Sequence, residues 1–282
     1  MDETAEHPDV PTSDLPWNGY ALGTSDLTIL SGRGQPVVVG LIGPPDSGKT
    51  SLLAFFYMWL LKYGKIGGWD FAGSWTLGGW ESVVQYCRWT GEPPPSFPPH
   101  TSSAGRHPGV LHVTLRQRES GALRDVLFTD APGEWFTRWA RVPADPTAAG
   151  ARWVVDHANA LLLLIDSAAL EDAEKLPQSR RSTRDLLERV GAEKGTCPVM
   201  VLWTKDDVDV PGAVRDGLSR TCEHFIPGAS FWRTTVTKPE TIQQCFVEAI
   251  HASEKAEIAL DEIEPRLSHD PFLAFRGTHV RV

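Results

Sequence analysis

The stretch VVVGLIGPPDSGKTSLL, residues 37–53, decides the reading of this chain. It begins with a run of β-branched and apolar residues, passes through Gly-x-x-x-x-Gly-Lys-Thr, and continues into an apolar segment of helical character. That order of strand, glycine-bounded loop and helix is the context in which backbone N–H groups and the positive end of a helix cradle phosphates. Gly43, Pro44, Pro45, Asp46, Ser47, Gly48, Lys49, Thr50 and Ser51 are therefore the candidate phosphate-binding residues. Lys49 is placed to reach β and γ phosphates, and Thr50 to offer its hydroxyl to Mg²⁺.

The composition supports a large buried core, with 282 residues of which 41% are apolar. A formal charge of -9 argues against a nucleic-acid or anionic-membrane partner, which is held by clustered Lys and Arg. Four cysteines (Cys87, Cys197, Cys222 and Cys245) lack the spacing of a zinc site or redox pair, so reduced thiols and a cytoplasmic address are expected. The first 16 residues, MDETAEHPDVPTSDLP, have no basic start or apolar stretch and read as a disordered acidic tail rather than a targeting peptide. The apolar run LLAFFYMWLL at 52–61 is far short of the roughly 20 residues that span a bilayer, and reads as a buried helix.

Further apolar runs at 160–166 (ALLLLID) and 198–204 (PVMVLWT) alternate with helical patterns, one placed after a Ser182–Asp185 capping box and one opened by Pro239. Continuous apolar runs mark central parallel strands covered on both faces. The segments VLHVTLRQ (110–117) and ALRDVLFT (122–129) flank a short turn, leaving no room for a crossover helix, so one strand runs antiparallel. The expected fold is α/β, a three-layer, mostly parallel sheet with one antiparallel strand and helices on both faces.

Two more motifs sit at strand ends. In VLFTDAPGEW (126–135), Asp130 is a carboxylate for a Mg²⁺ shell, and the Gly133 N–H is free to approach a γ-phosphate. In VLWTKDDVD (201–209), Thr204, Lys205 and Asp207 form Thr-Lys-x-Asp. A carboxylate there accepts from both N1–H and the 2-amino group of guanine, a donor pair that adenine lacks. The aliphatic stem of Lys205 would lie along the base.

The ordered set GPPDSGKT, DAPG and TKDD resembles the TRAFAC class of P-loop GTPases, Ras-like in arrangement, over roughly residues 36–255. FAGSWTLGGWE and the Gly-Glu that ends DAPGE resemble, more narrowly, the bacterial double-GTPase and GTPase-associated families proposed to act in conflict systems. The resemblance implies a GTPase domain over 17–265, interrupted by a Trp- and Gly-rich insertion at 64–98 and followed by a tail at 266–282. It implies a switch threonine that closes on Mg²⁺ and joins Lys49 in catalysis, with Thr101 chosen and Ser102 or Ser103 as alternatives. It also implies a base-clamping element among Val236, Thr237 and Lys238, although the usual Ser-Ala-Lys is absent.

Where Ras-like proteins carry a water-orienting glutamine, this chain has Glu134, a catalytic candidate whose carboxylate can accept from water but is disfavoured beside a triphosphate unless a cation or partner compensates. Pro45 removes an N–H donor from the loop, and Asp46 stands where some dimerising GTPases hold K⁺. The function expected is a Mg²⁺-dependent GTP-hydrolysing switch cycling between GTP and GDP, with a bacterial defence role in view. A nucleotide-dependent assembly module with little turnover and a P-loop ATPase are the alternatives. A protein partner or self-association through 64–98 is expected, since Trp69, Trp75, Trp80 and Trp89 crowd that insertion, where core packing competes with a partner surface as their role.

Overall fold

A computed structural model describes residues 21–23, 27–30, 35–88, 96 and 109–255. Thr101, Ser102, Ser103, Trp89 and the tails at 1–16 and 266–282 lie outside the described residues. In chain order the elements begin with α1 (Leu27–Leu30), β1 (Val37–Ile42), α2 (Lys49–Tyr63), β2 (Lys65–Ile66), β3 (Trp69–Gly73) and α3 (Leu77–Val84). The hairpin strands β4 (Gly109–Gln117) and β5 (Leu123–Asp130) lead to α4 (Gly133–Arg141), α5 (Ala149–His157), β6 (Ala160–Asp166), α6 (Ser167–Glu171) and α7 (Leu176–Glu193). The chain continues through β7 (Val199–Thr204), α8 (Gly212–Phe225), β8 (Ser230–Arg233) and α9 (Pro239–Lys255).

The strands form one eight-stranded sheet in the order β2-β3-β4-β5-β1-β6-β7-β8. From β5 to β8 neighbours are parallel, because each connection carries a helix back across the sheet. The expected hairpin is present, β4 lying antiparallel to β5 with Leu111 opposite Phe128. The insertion extends the sheet beyond that hairpin: Gly67 and Gly68 turn β2 back on β3, pairing Ile66 with Trp69, and β3 pairs antiparallel with β4.

All six residues of β1 are buried, as a central strand requires. Val37, Val39 and Leu41 face a layer formed by Leu53 and Phe56 of α2, Trp80 of α3, and Phe246 and Ile250 of α9. Ile42 faces the opposite layer, where Phe136 and Trp139 of α4, Val154 of α5, Leu187 of α7 and Leu218 of α8 pack. The α/β three-layer arrangement is as expected. Helix α9 starts at Pro239 as its fixed φ favours, but Ser182 does not cap a helix. It lies inside α7, its hydroxyl donating to the Ser179 carbonyl at 3.1 Å, because the helix begins six residues earlier, with Pro177 in its first turn.

Two insertion tryptophans are core residues: Trp69 and Trp80 are buried, while Trp75 is 45% exposed. Trp80 stacks on Tyr57 with ring centroids 5.3 Å apart and donates its indole N–H to the His112 carbonyl at 2.8 Å. His112 is itself fully buried on β4, its Nδ1 accepting from the Trp75 N–H at 3.0 Å and its Nε2 lying 3.0 Å from Asp125. The described insertion is thus bonded into the sheet and shares its core. No helix among the described residues is long and apolar enough to cross a membrane.

Trp80→Ala should destabilise the protein by about 3–5 kcal/mol in urea unfolding, the range for removing a buried aromatic ring. A loss below about 1 kcal/mol would mean that the insertion packs independently of the sheet.

Candidate functional site

The loops that leave the C-terminal ends of β1, β5, β6, β7 and β8 converge on one cleft of about 1310 Å³. Parallel strands place their C-terminal ends on one edge of the sheet, and the N-termini of the following helices face that edge. The β1 loop lines the cleft with Pro44, Pro45, Asp46, Gly48, Lys49, Thr50 and Ser51. Gly133 and Glu134 line it from α4, Thr204, Lys205 and Asp207 from the end of β7, and Val236 from the segment after β8. Gly43, Ser47, Asp130 and Thr237 are not among its lining residues.

Gly43 and Ser47 support the loop from behind. The Lys49 ammonium donates to the carbonyls of Gly43 at 3.0 Å and Pro44 at 2.9 Å, which holds the side chain across the loop. Burial lowers this ammonium to about 8, outweighing the opposing pull of Asp130, then Glu134 and Asp46. Thr50 Oγ1 donates to Asp130 Oδ1 at 3.1 Å, so the hydroxyl and carboxylate expected to serve one Mg²⁺ are adjacent. Both are hard oxygen donors of the kind that cation takes, and the pair fits it.

The DAPG turn meets the β1 loop backbone to backbone. A Cβ added at Gly133 would lie 2.2 Å from the Pro45 nitrogen and 2.4 Å from the Pro44 carbonyl carbon, so this position requires glycine. Pro45 is therefore buttressed as well as stiff. Asp46 follows at φ 62°, a left-handed conformation that Asp tolerates better than most side chains.

The β7 end is tied to the β1 loop. Thr204 Oγ1 lies 2.8 Å from the Ser47 carbonyl oxygen and 3.1 Å from that of Ile165, its proton shared between them. The Lys205 ammonium donates to the Asp46 carbonyl and to Asp166 Oδ2, each at 2.8 Å. Asp166 Oδ1 accepts from the Ala168 and Ala169 N–H groups, capping α6. Thr204 and Lys205 thereby fix the relative positions of two walls.

Two residues emerge that sequence reading passed over. One is Asp166, the last residue of an apolar strand. The other is Thr235, whose hydroxyl donates to Asp207 Oδ1 at 2.8 Å and lies 3.0 Å from Thr237 Oγ1. Thr237 thus reaches the carboxylate only through Thr235. Lys238 caps the turn into α9, its carbonyl accepting from Thr241. A signal for Thr235 existed in its place just beyond the strand, two residues past Arg233, where the usual Ser-Ala-Lys starts with a hydroxyl.

The model of the Double-GTPase 2 family matches residues 37–256, from the first strand of the sheet to the end of its last helix. The chain belongs to that family, and its nucleotide-binding function is of the GTPase type. Comparison with curated proteins gives no match.

Gly133→Ala should force the DAPG turn off the β1 loop and lower stability by about 1–3 kcal/mol, the cost of overpacking a close contact. Thermal unfolding measures it; an unchanged melting temperature would contradict the contact.

Proposed function

We propose that this Double-GTPase 2 protein is a Mg²⁺-dependent GTP-binding and GTP-hydrolysing switch of the TRAFAC class. The observation that carries the reading is the exposed Asp207 carboxylate, held by Thr235, in the same cleft as the Lys49 loop. A carboxylate fixed in that way accepts from both the N1–H and 2-amino groups of guanine, and its partner hydroxyl leaves the second oxygen free for the base. Val236 and the Lys205 stem give the base apolar cover. Backbone N–H groups of residues 46–50, the positive end of α2 and Lys49 hold the phosphates.

Thr50 and Asp130 would hold Mg²⁺, whose charge neutralises developing negative charge on the phosphates when it is bound. Lys49 stabilises the transferring phosphoryl group, and the Gly133 N–H reaches its oxygens. Thr101 completes the arrangement as the switch threonine that closes on the metal. Order in the 99–109 segment and in the 130–145 stretch, which holds the DAPG turn and α4, then depends on the γ-phosphate, which gives the two states of a switch. The domain layout is one GTPase domain over 17–265 with its insertion at 64–98, and the insertion is where a protein partner or a second copy docks. A place in bacterial defence accords with the family resemblance, and a cytoplasmic address with the free thiols. K⁺ beside Asp46 remains part of the proposal.

A second reading, a nucleotide-dependent assembly module with slow turnover, is favoured by Glu134. Glu134 lines the same cleft as Lys49 and raises the pKa of its ammonium, which supports a position facing the terminal phosphates, where Ras-like proteins carry a neutral glutamine. Its charge opposes both γ-phosphate binding and the approach of water unless a cation or partner compensates.

Competitive binding tests the base assignment: wild type should take GTP well above ATP, and Asp207→Asn should lose that preference while gaining xanthosine triphosphate. Equal GTP and ATP affinity in wild type would overturn it. Glu134→Gln should give a several-fold gain in GTP affinity relative to GDP, measured by titration with fluorescent analogues. An unchanged ratio would place Glu134 away from the γ-phosphate.

A further inference from the structure

The β7–α8 loop carries two adjacent carboxylates that turn opposite ways. Asp207 lines the cleft, whereas the Asp206 side chain is 9% exposed and lies between two arginines. Arg215 of α8 places Nη2 3.0 Å from Asp206 Oδ1, and Arg233, the last residue of β8, brings Nε to Oδ2. The Arg215 guanidinium carbon lies 4.6 Å over the Trp203 ring, so this arginine is braced on β7. The Asp206 N–H donates to the Thr234 carbonyl at 3.1 Å, one residue before the hydroxyl that holds Asp207.

The divergence of the two carboxylates begins at Lys205, whose φ of 54° is left-handed. That conformation is unfavourable for a residue with a Cβ, so the loop needs anchors that enforce it. Its first half is anchored on the phosphate loop by Thr204 and Lys205. Its second half is anchored by Asp206. A nearly buried carboxylate is costly unless paired, and pairing to two guanidiniums on different elements fixes its position against both β8 and α8. Arg233 makes the hydrogen bond but is 66% exposed and screened by water, whereas Arg215, 22% exposed, holds Asp206 Oδ1 as an ion pair at 3.0 Å, where its charge is screened less.

We propose that Asp206, clamped by Arg215 and Arg233, is a positioning residue for base recognition, aiming Asp207 so that the clamp sets guanine selectivity without touching the nucleotide. The inference rests on the guanine reading above and deepens it. Its signature is selective. Inosine lacks the 2-amino group but keeps N1–H, so the ratio of GTP to ITP affinity reports how well Asp207 meets the second donor, while ITP affinity reports the phosphate contacts together with the N1–H bond. A structural defect of the cleft would lower both nucleotides together.

The experiment measures GTP and ITP affinities of full-length wild type, Arg215→Met, Asp206→Asn, Arg233→Gln and Asp207→Asn. Wild type should favour GTP by about tenfold, the worth of one hydrogen bond to a charged group. Arg215→Met should bring the ratio close to one with ITP affinity within about twofold of wild type, the 2-amino hydrogen bond being lost and the N1–H and phosphate contacts kept. Arg233→Gln should change the ratio less. Asp206→Asn keeps the volume and should follow Arg215→Met, and it supplies the reading if Arg215→Met fails to fold. Parallel losses of GTP and ITP, or an unchanged ratio in both Arg215→Met and Asp206→Asn, would overturn the clamp. If Asp207→Asn also leaves the ratio unchanged, the guanine reading itself fails; if Asp207→Asn collapses it and the clamp variants do not, only the clamp fails.

Discussion

The tie between the β7 end and the β1 loop is the constraint on which the cleft depends. Thr204 bonds the Ser47 carbonyl, and Lys205 bonds the Asp46 carbonyl while its ammonium pairs with Asp166. Three strand ends that are distant in sequence are thereby held at fixed separation. A ligand that needs both a phosphate cradle and a base-reading carboxylate meets them already arranged, and binding does not have to supply that ordering. The same tie reaches the helical layer, because Asp166 caps α6 with its other oxygen. Against this frame the DAPG turn rests on Pro44 and Pro45 through Gly133, so the phosphate loop is contacted from both sides.

Much of this was legible in the chain. The apolar runs at 37–42 and 160–166 announced strands buried on both faces, since exposed strands would have alternated. The glycines and Lys49 announced the loop because few other roles need those residues between a strand and a helix. The hairpin could be read from its short turn. Less of the insertion was readable: its Gly67-Gly68 turn joins strands of two and five residues, too short for a period to register, and its edge position depends on pairing with β4.

The site's secondary contacts were less visible for a different reason. After β8 the chain reads Thr234, Thr235, Val236, Thr237, and three equivalent hydroxyls cannot be told apart until the strand register decides which one reaches Asp207. Asp206 and Asp207 are chemically identical, and the left-handed turn at Lys205 sends them in different directions; lysine gives no sign of that conformation. The start of α7 was hidden because Ser-x-x-Asp fits a capping box but also fits a polar helix surface, and the earlier Pro177 prevailed. The placement of charged residues at strand ends was therefore readable from sequence, while the hydrogen bonds that orient them required the fold.

The central claim is that the Lys49 loop and Asp207 are two ends of one guanine nucleotide site. The most direct measurement is a crystal structure of the full chain with Mg²⁺ and a non-hydrolysable GTP analogue. The account predicts the phosphates within the β1 loop and the guanine N1 and 2-amino nitrogens within hydrogen-bonding distance, about 2.7–3.2 Å, of Asp207. Phosphates in the loop with the base turned away from Asp207 would contradict it.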